Sequence, residues 1–138
     1  MTTTLLGALN GLSDLQQRCY LDTAPSLPAT PFAIAYETMG GLGGTYYGGA
    51  ALVNVYPSVT LYHKPGSGES VNSARQGLMF LASKVVAAVK AVDTHSDGVT
   101  PFITGSFQLQ AEFPPMPDKS VQGQLYLTLR FAGSYWRP

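Results

Sequence analysis

The sequence predicts an α+β fold: a four-stranded, mainly antiparallel sheet with two helices on one face, in the order α-β-β-α-β-β. Three observations lead there. Apolar residues recur at helical spacing in two segments, Leu5 to Leu15 and Val71 to Val89. In four other segments they alternate with polar residues. Each alternating segment has one apolar side, which requires one covering layer.

The first helix is expected over Thr4 to Arg18, where Leu5, Ala8, Leu9, Leu12 and Leu15 make one stripe. Thr2, Thr3 or Thr4 can cap it. Gly7 and Gly11 weaken it, so tertiary packing has to hold it. Leu21 to Pro31 carries Pro25, Pro28 and Pro31 and reads as an extended surface connector. A first strand follows over Phe32 to Met39. Six of the ten residues from Gly40 to Gly49 are glycine, which predicts a flexible loop or a long, bent hairpin. The second strand runs from about Ala51 to His63. Val53, Val55, Val59 and Leu61 face one way; Asn54, Tyr56, Ser58, Thr60 and Tyr62 face the other. Pro57 within it argues for an edge strand or a bulge.

Lys64 to Gly68 is a turn, after which Ser67 or Ser70 caps a long helix reaching about Val92. Val71, Ala74, Leu78, Leu81, Ala82, Val85 and Val89 form its stripe, with Arg75, Gln76, Ser83, Lys84 and Lys90 off it. Glu69 near its start and Lys90 near its end suit the helix dipole. Asp93 to Pro101 is a polar loop. The third strand, Phe102 to Phe113, and the fourth, Val121 to Phe131, flank the turn Pro114 to Ser120 and should form an antiparallel hairpin.

A chain of 138 residues fits one domain spanning 1–138, able to bury a core without disulfides or metals. Only 12% of it is charged, against about 25% in typical proteins. Such a surface belongs either to a subunit covered by partners or to a protein made soluble by Thr, Ser and Gln. Net charge is zero and the cations stand singly, so clustered phosphate neutralisation is not supported. No basic segment leads an apolar core at the N-terminus, so no secretion signal is expected. Gly77 to Val89 is too short to span a bilayer, and no membrane partner is expected.

Chemistry-bearing motifs are sparse. The glycine-rich segment lies between two strands and has no lysine, unlike phosphate or dinucleotide loops. It reads as an arm presenting Tyr46 and Tyr47, flanked by Leu42 and Thr45, or as an ordinary hairpin tip. Cys19 reads as a small buried hydrophobe at a helix end. His63 and His95 are the histidines; Asp93, His95 and Asp97 alternate but lack the glycine and glutamate of a calcium loop. Gly66-Ser67-Gly68 is a turn rather than a nucleophile elbow. Glu37 and Glu112 fall on separate strands. No catalytic residue, metal ligand or cofactor site is therefore assigned. At the chain's end, Tyr135, Trp136 and Arg137 have the composition of an interface anchor; the competing reading has Trp136 closing the core. Tyr56, on the polar side of the second strand, completes the candidate interface set.

Several of these features together resemble the tail-terminator (tail-completion) proteins of long-tailed bacteriophages. They are the N-terminal helix Leu5 to Leu15, the strand led in by Pro28-Ala29-Thr30-Pro31-Phe32-Ala33-Ile34-Ala35-Tyr36-Glu37, and a second strand ending in Leu61-Tyr62. The alanine-rich helix after a short turn and the closing hairpin ending in Leu129-Arg130-Phe131 complete the pattern. The resemblance is one of pattern and length over nearly the whole chain; the glycine-rich segment and Pro57 depart from it. It implies a non-enzymatic virion protein of the tail or neck, made in the host cytoplasm. Its partners would be further copies of itself in a ring, usually of six, then the tail tube protein and a head-side connector or neck protein. DNA would pass through the ring without sequence-specific binding. Two alternatives stand beside it. One is another head–tail connector or a tail-tube subunit; the other is a small-molecule-binding or enzymatic α+β domain, which requires a deep pocket with convergent polar groups.

Overall fold

The computed structural model describes residues 4–26, 28–45, 51–94 and 99–137, and for residues 37–45 the backbone alone. It corrects the expected architecture. The described residues form a six-stranded mixed sheet rather than a four-stranded antiparallel one. The strands are β1 (Cys19–Leu21), β2 (Phe32–Thr45), β3 (Ala51–His63), β4 (Gln108–Glu112), β5 (Met116–Pro117) and β6 (Leu125–Arg137). They lie in the order β1-β2-β3-β6-β4, with β5 also on β6. The helices are α1 (Leu5–Asn10) and α2 (Val71–Val89), with a 3-10 turn at Ser13–Leu15.

The N-terminal correction follows from the glycines. Thr4 caps α1 by accepting from the Gly7 N–H at 3.2 Å, but the helix stops at Asn10. Gln16 and Gln17 then take positive φ of 47° and 60°, which turns the chain out of helical geometry. Just ahead of the expected connector, and sharing only Leu21 with it, the chain forms β1, which pairs parallel to β2 through Cys19↔Ala33 and Leu21↔Ala35. That parallel strand makes the sheet mixed. Cys19 accordingly sits in a strand and not at a helix end.

Half of the glycine-rich segment is also strand. β2 runs on to Thr45 against β3, and its register slips once between Met39 and Gly41 and again between Leu42 and Gly44. Gly40 and Gly43 are the extra residues, at positions where glycine bends a strand at no steric cost. Residues 46–50 lie outside the described residues. Pro57 does not mark an edge: β3 lies between β2 and β6. Its pair with Glu37 on β2 is intact, while the β6 ladder skips from Val55↔Gly133 to Ser58↔Arg130 without changing phase. A proline has no N–H to donate, so an interior strand tolerates it where the ladder to one neighbour is interrupted, here over two residue pairs.

Ser70 caps α2 by accepting from the Ser73 N–H at 3.0 Å. Ala74, Leu78, Leu81, Ala82, Val85 and Val89 are buried, but Val71 is exposed. They pack with Leu9 and Leu15 onto Ala33, Ala35, Val59, Leu61, Leu127, Leu129 and Phe131. One sheet face thereby becomes the core. The expected third strand shrinks to β4, because Gly105 at φ +78° turns the chain before it. A bulge between Leu109 and Ala111 then flips the phase, leaving Phe113 exposed instead of in the core. The expected fourth strand starts later, after the turn at Gly123 (φ +80°), and takes in the aromatic C-terminal segment. The predicted antiparallel pairing of the last two strands is present as β4 on β6, and the intervening turn contributes β5.

Candidate assembly surfaces

The face of the sheet opposite the helices carries no helix among the described residues. Alternation along β3 and β6 places Tyr56, Ser58, Thr60, Tyr62, Tyr126, Thr128, Arg130 and Trp136 on it. A row of rings crosses it from strand to strand. Tyr20 meets Phe32 edge-on at 6.2 Å, Phe32 stacks on Tyr62 at 4.7 Å, and Tyr62 lies 6.2 Å from Tyr126. Next to the row, Thr60 and Thr128 share a hydrogen bond of 3.2 Å. Burial pushes the Tyr62 hydroxyl pKa up, and Tyr36, Asp118 and Tyr126 add to this, so the ring stays neutral across the physiological range.

Two grooves border this row, of about 530 Å³ between Pro28, Ile34 and Gln124 and about 670 Å³ between Thr60, Met116 and Thr128. Asp118 lines both. Desolvation would raise its carboxyl pKa, but donors from Ser120, Gln124 and the Val121 backbone outweigh it and hold the pKa below the usual value. A depressed carboxylate stabilises the fold above its unfolded pKa and loses that contribution as pH falls through the folded one. Asp118→Asn should therefore lower the melting temperature at pH 7, and the gap to wild type should close towards pH 3. A gap independent of pH would show that the carboxylate charge contributes nothing there.

A third cleft, of about 410 Å³, opens on the helix side between α2, the 3-10 turn and the end of β3. Leu78, Leu81 and Pro31 line it, and Phe80 stands at its rim, 65% exposed. An ion pair of Lys84 with Asp14 at 2.7 Å and a hydrogen bond between His63 and Glu69 at 2.8 Å border it. Lys84 also lies over the Phe80 ring, 4.8 Å from its centre. Beside Phe80, Met79 is exposed as well.

The residues singled out from the sequence are divided by the fold. Leu42 and Thr45 are β2 positions opposite Val53 and Ala51. Tyr46 and Tyr47 lie outside the described residues. Tyr56 is on the open face, 44% exposed. Tyr135 turns inward and is buried with Val53 and Val55 under Phe102. Trp136 points the other way, 45% exposed, so Tyr135 and not the tryptophan closes the core at that end. Arg137 is exposed at the end of β6. Sequence reasoning missed Met79 and Phe80. The signal was present: the seven-residue stripe already accounted for the buried side of α2, which leaves two large apolar residues outside it.

The groups considered for chemistry do not converge. Glu37 and Glu112 sit on β2 and β4 with two strands between them, about 14 Å apart at about 4.8 Å per strand. His63 is engaged by Glu69; His95 and Asp97 lie outside the described residues. Among the described residues no three His, Cys, Asp or Glu cluster as metal ligands, and no buried polar side-chain atom lacks a hydrogen-bond partner. Burial pushes the Cys19 thiol pKa up to about 11, despite Arg18 beside it, so it is protonated at pH 8. A thiol reagent at pH 8 is expected to leave the native protein unmodified and to label it fully in denaturant. Labelling of the native protein would place Cys19 outside the core. No described helix is long and apolar enough to cross a membrane.

Together these features define a helix-backed mixed sheet whose other face carries no described helix and is aromatic and weakly charged. The same fold occurs in a solved structure, a chain of "Virion of native gene transfer agent (GTA) particle". The two chains superpose with a TM-score of 0.58 at 11% sequence identity, covering 96% of this chain and 92% of that one. No protein-family model and no curated protein matches the sequence.

Proposed function

We propose that this chain is a structural virion protein, and within that class a tail terminator: a subunit that closes into a ring, caps the tail tube and meets a head-side connector. The supporting observation is the end-to-end fold likeness to a chain of a gene transfer agent virion, in which neither chain has a large part left over. The surface supports the same reading. A sheet face of tyrosine, threonine and one arginine that also carries exposed Trp136, together with exposed Phe80 and Met79 on the helix side, is chemistry for packing against neighbours on both faces. The grooves are bounded by groups that already satisfy one another, as Asp118 does with Ser120 and Gln124 and His63 does with Glu69, which leaves little to orient a substrate.

The test is solution mass by light scattering, with and without purified tail tubes, followed by electron microscopy of the mixture. A closed ring, seated at one end of each tube and halting its growth, is the expected result. Open-ended polymers of the protein alone would assign it to the tube instead. A ring that binds heads but not tubes would assign it to the connector. A monomer indifferent to both would overturn the virion reading.

A further inference from the structure

We propose that the helix-side cleft is the subunit contact of this ring, and that its occupant is the Trp136-Arg137 end of β6 from a second copy. The inference rests on the ring reading and names the surfaces that close it.

A ring needs two different patches on each subunit, placed so that each copy offers one patch and receives the other. Exposed large apolar residues mark the two patches. On the helix side, Phe80 and Met79 stand beside the cleft floored by Leu78 and Leu81. This cleft lies at the His63 end of β3, since Pro31 and His63 line it. Trp136 lies opposite Leu52 near the other end of the same strand. The eleven steps from Leu52 to His63 put the two patches about 36 Å apart at about 3.3 Å per residue. They also stand on opposite faces of the sheet. A subunit cannot fill its own cleft, and two copies related by a two-fold axis need not bring the patches together; a head-to-tail repeat does.

Other exposed apolar groups fit the donor role less well. Met116 pairs opposite Tyr126 at the same end of the sheet as the cleft. Tyr56 stands in mid-strand, where no chain end can project it. Trp136 has the area and rigidity of an interface anchor, and a cleft of about 410 Å³ is wide enough to take an indole. Charge agrees: Asp14 and Glu69 line the cleft against one permanent cation, Lys84, and the incoming strand brings Arg137.

Cross-linking tests this. A cysteine at Gly77 falls on the cleft wall, where an added Cβ meets nothing within 4 Å. A second is placed by Arg137→Cys. The Gly77→Cys/Arg137→Cys protein, assembled on tail tubes and treated with a short bismaleimide, should give a ladder of covalent species up to the ring size; either single variant should stop at monomer. Phe80→Ala and Trp136→Ala should each weaken association about 30-fold or more, and for Phe80→Ala the melting temperature should stay near wild type because that ring is 65% exposed. Rings that form without a ladder, and with both alanine variants assembling normally, would overturn this contact and leave the ring reading standing. Dimers from one single variant alone would show a two-fold contact and overturn it as well. Failure of the wild type to form any ring would remove both.

Discussion

Replacing Phe131 with alanine is expected to lower folding stability by about 3–5 kcal/mol, a large share of the roughly 5–15 kcal/mol that holds a typical domain together. Phe131 is 1% exposed and lies in the core between the sheet and its covering segments. It projects from β6 into the core shared with α2, stacks on Phe107 at 5.6 Å, and stands opposite Leu109 of β4. Truncation leaves a ring-sized void whose walls belong to a strand at the sheet's interior, and β6 cannot move in without breaking its ladder to β3. Urea unfolding followed by circular dichroism measures the loss. Phe80→Ala is the control, since that ring is 65% exposed and its removal should change stability by about 0.5 kcal/mol or less. Equal effects from the two substitutions would contradict the burial of Phe131.

The contrast between those two phenylalanines shows what the sequence discloses. The helical stripe of α2 names its own core: a buried helix face repeats every three to four residues, and six of the seven predicted positions are buried. β3 is legible for the same reason, its valines and Leu61 alternating inward from Val53 on. Strand pairing is less legible, because it depends on partners far away in the chain. β1 is three residues long and carries no alternation to detect; it is a strand only because β2 offers it an edge. The glycine run misleads because glycine marks loops and bulged strands alike, and only the partner strand tells them apart. Pro57 misleads because a short break in one ladder costs little when the rest of a thirteen-residue strand is paired on both sides. Of the candidate surface, Trp136 and Tyr56 were visible as large residues in polar company, whereas Phe80 hid inside an apolar helix. Its exposure depends on how far the helix is rotated over the sheet.

Gly133→Val is expected to cost about 1–3 kcal/mol, and its mechanism can be separated from that of Phe131→Ala. Gly133 lies on the core face of β6, opposite Val55, beyond the part of the sheet that α2 covers. There the loop before β4 takes over as the covering layer, and its rings rest on the glycine backbone. A Cβ at this position would stand 2.9 Å from Phe102 and 2.9 Å from Phe107. Those rings are held in turn, Phe102 against Phe107 at 4.8 Å and Phe107 against Phe131 at 5.6 Å, so a retreat outward gives up those ring contacts. The valine should therefore push the loop off the sheet. In a Phe102→Ala background one of the two clashes is gone and Phe107 has room to shift, so the same valine should cost less, which a double-mutant cycle reads directly. Equal costs in both backgrounds would mean that strand geometry, and not the ring contact, demands the glycine. Tyr135, two residues on, is buried beneath the same Phe102, and Trp136 follows it. If β6 carries the tryptophan into a neighbouring subunit, displacing this loop should also reduce ring formation at temperatures where Gly133→Val remains folded. A cleanly folded Gly133→Val protein that assembles like wild type would show that the strand end does not need Phe102 to hold its direction.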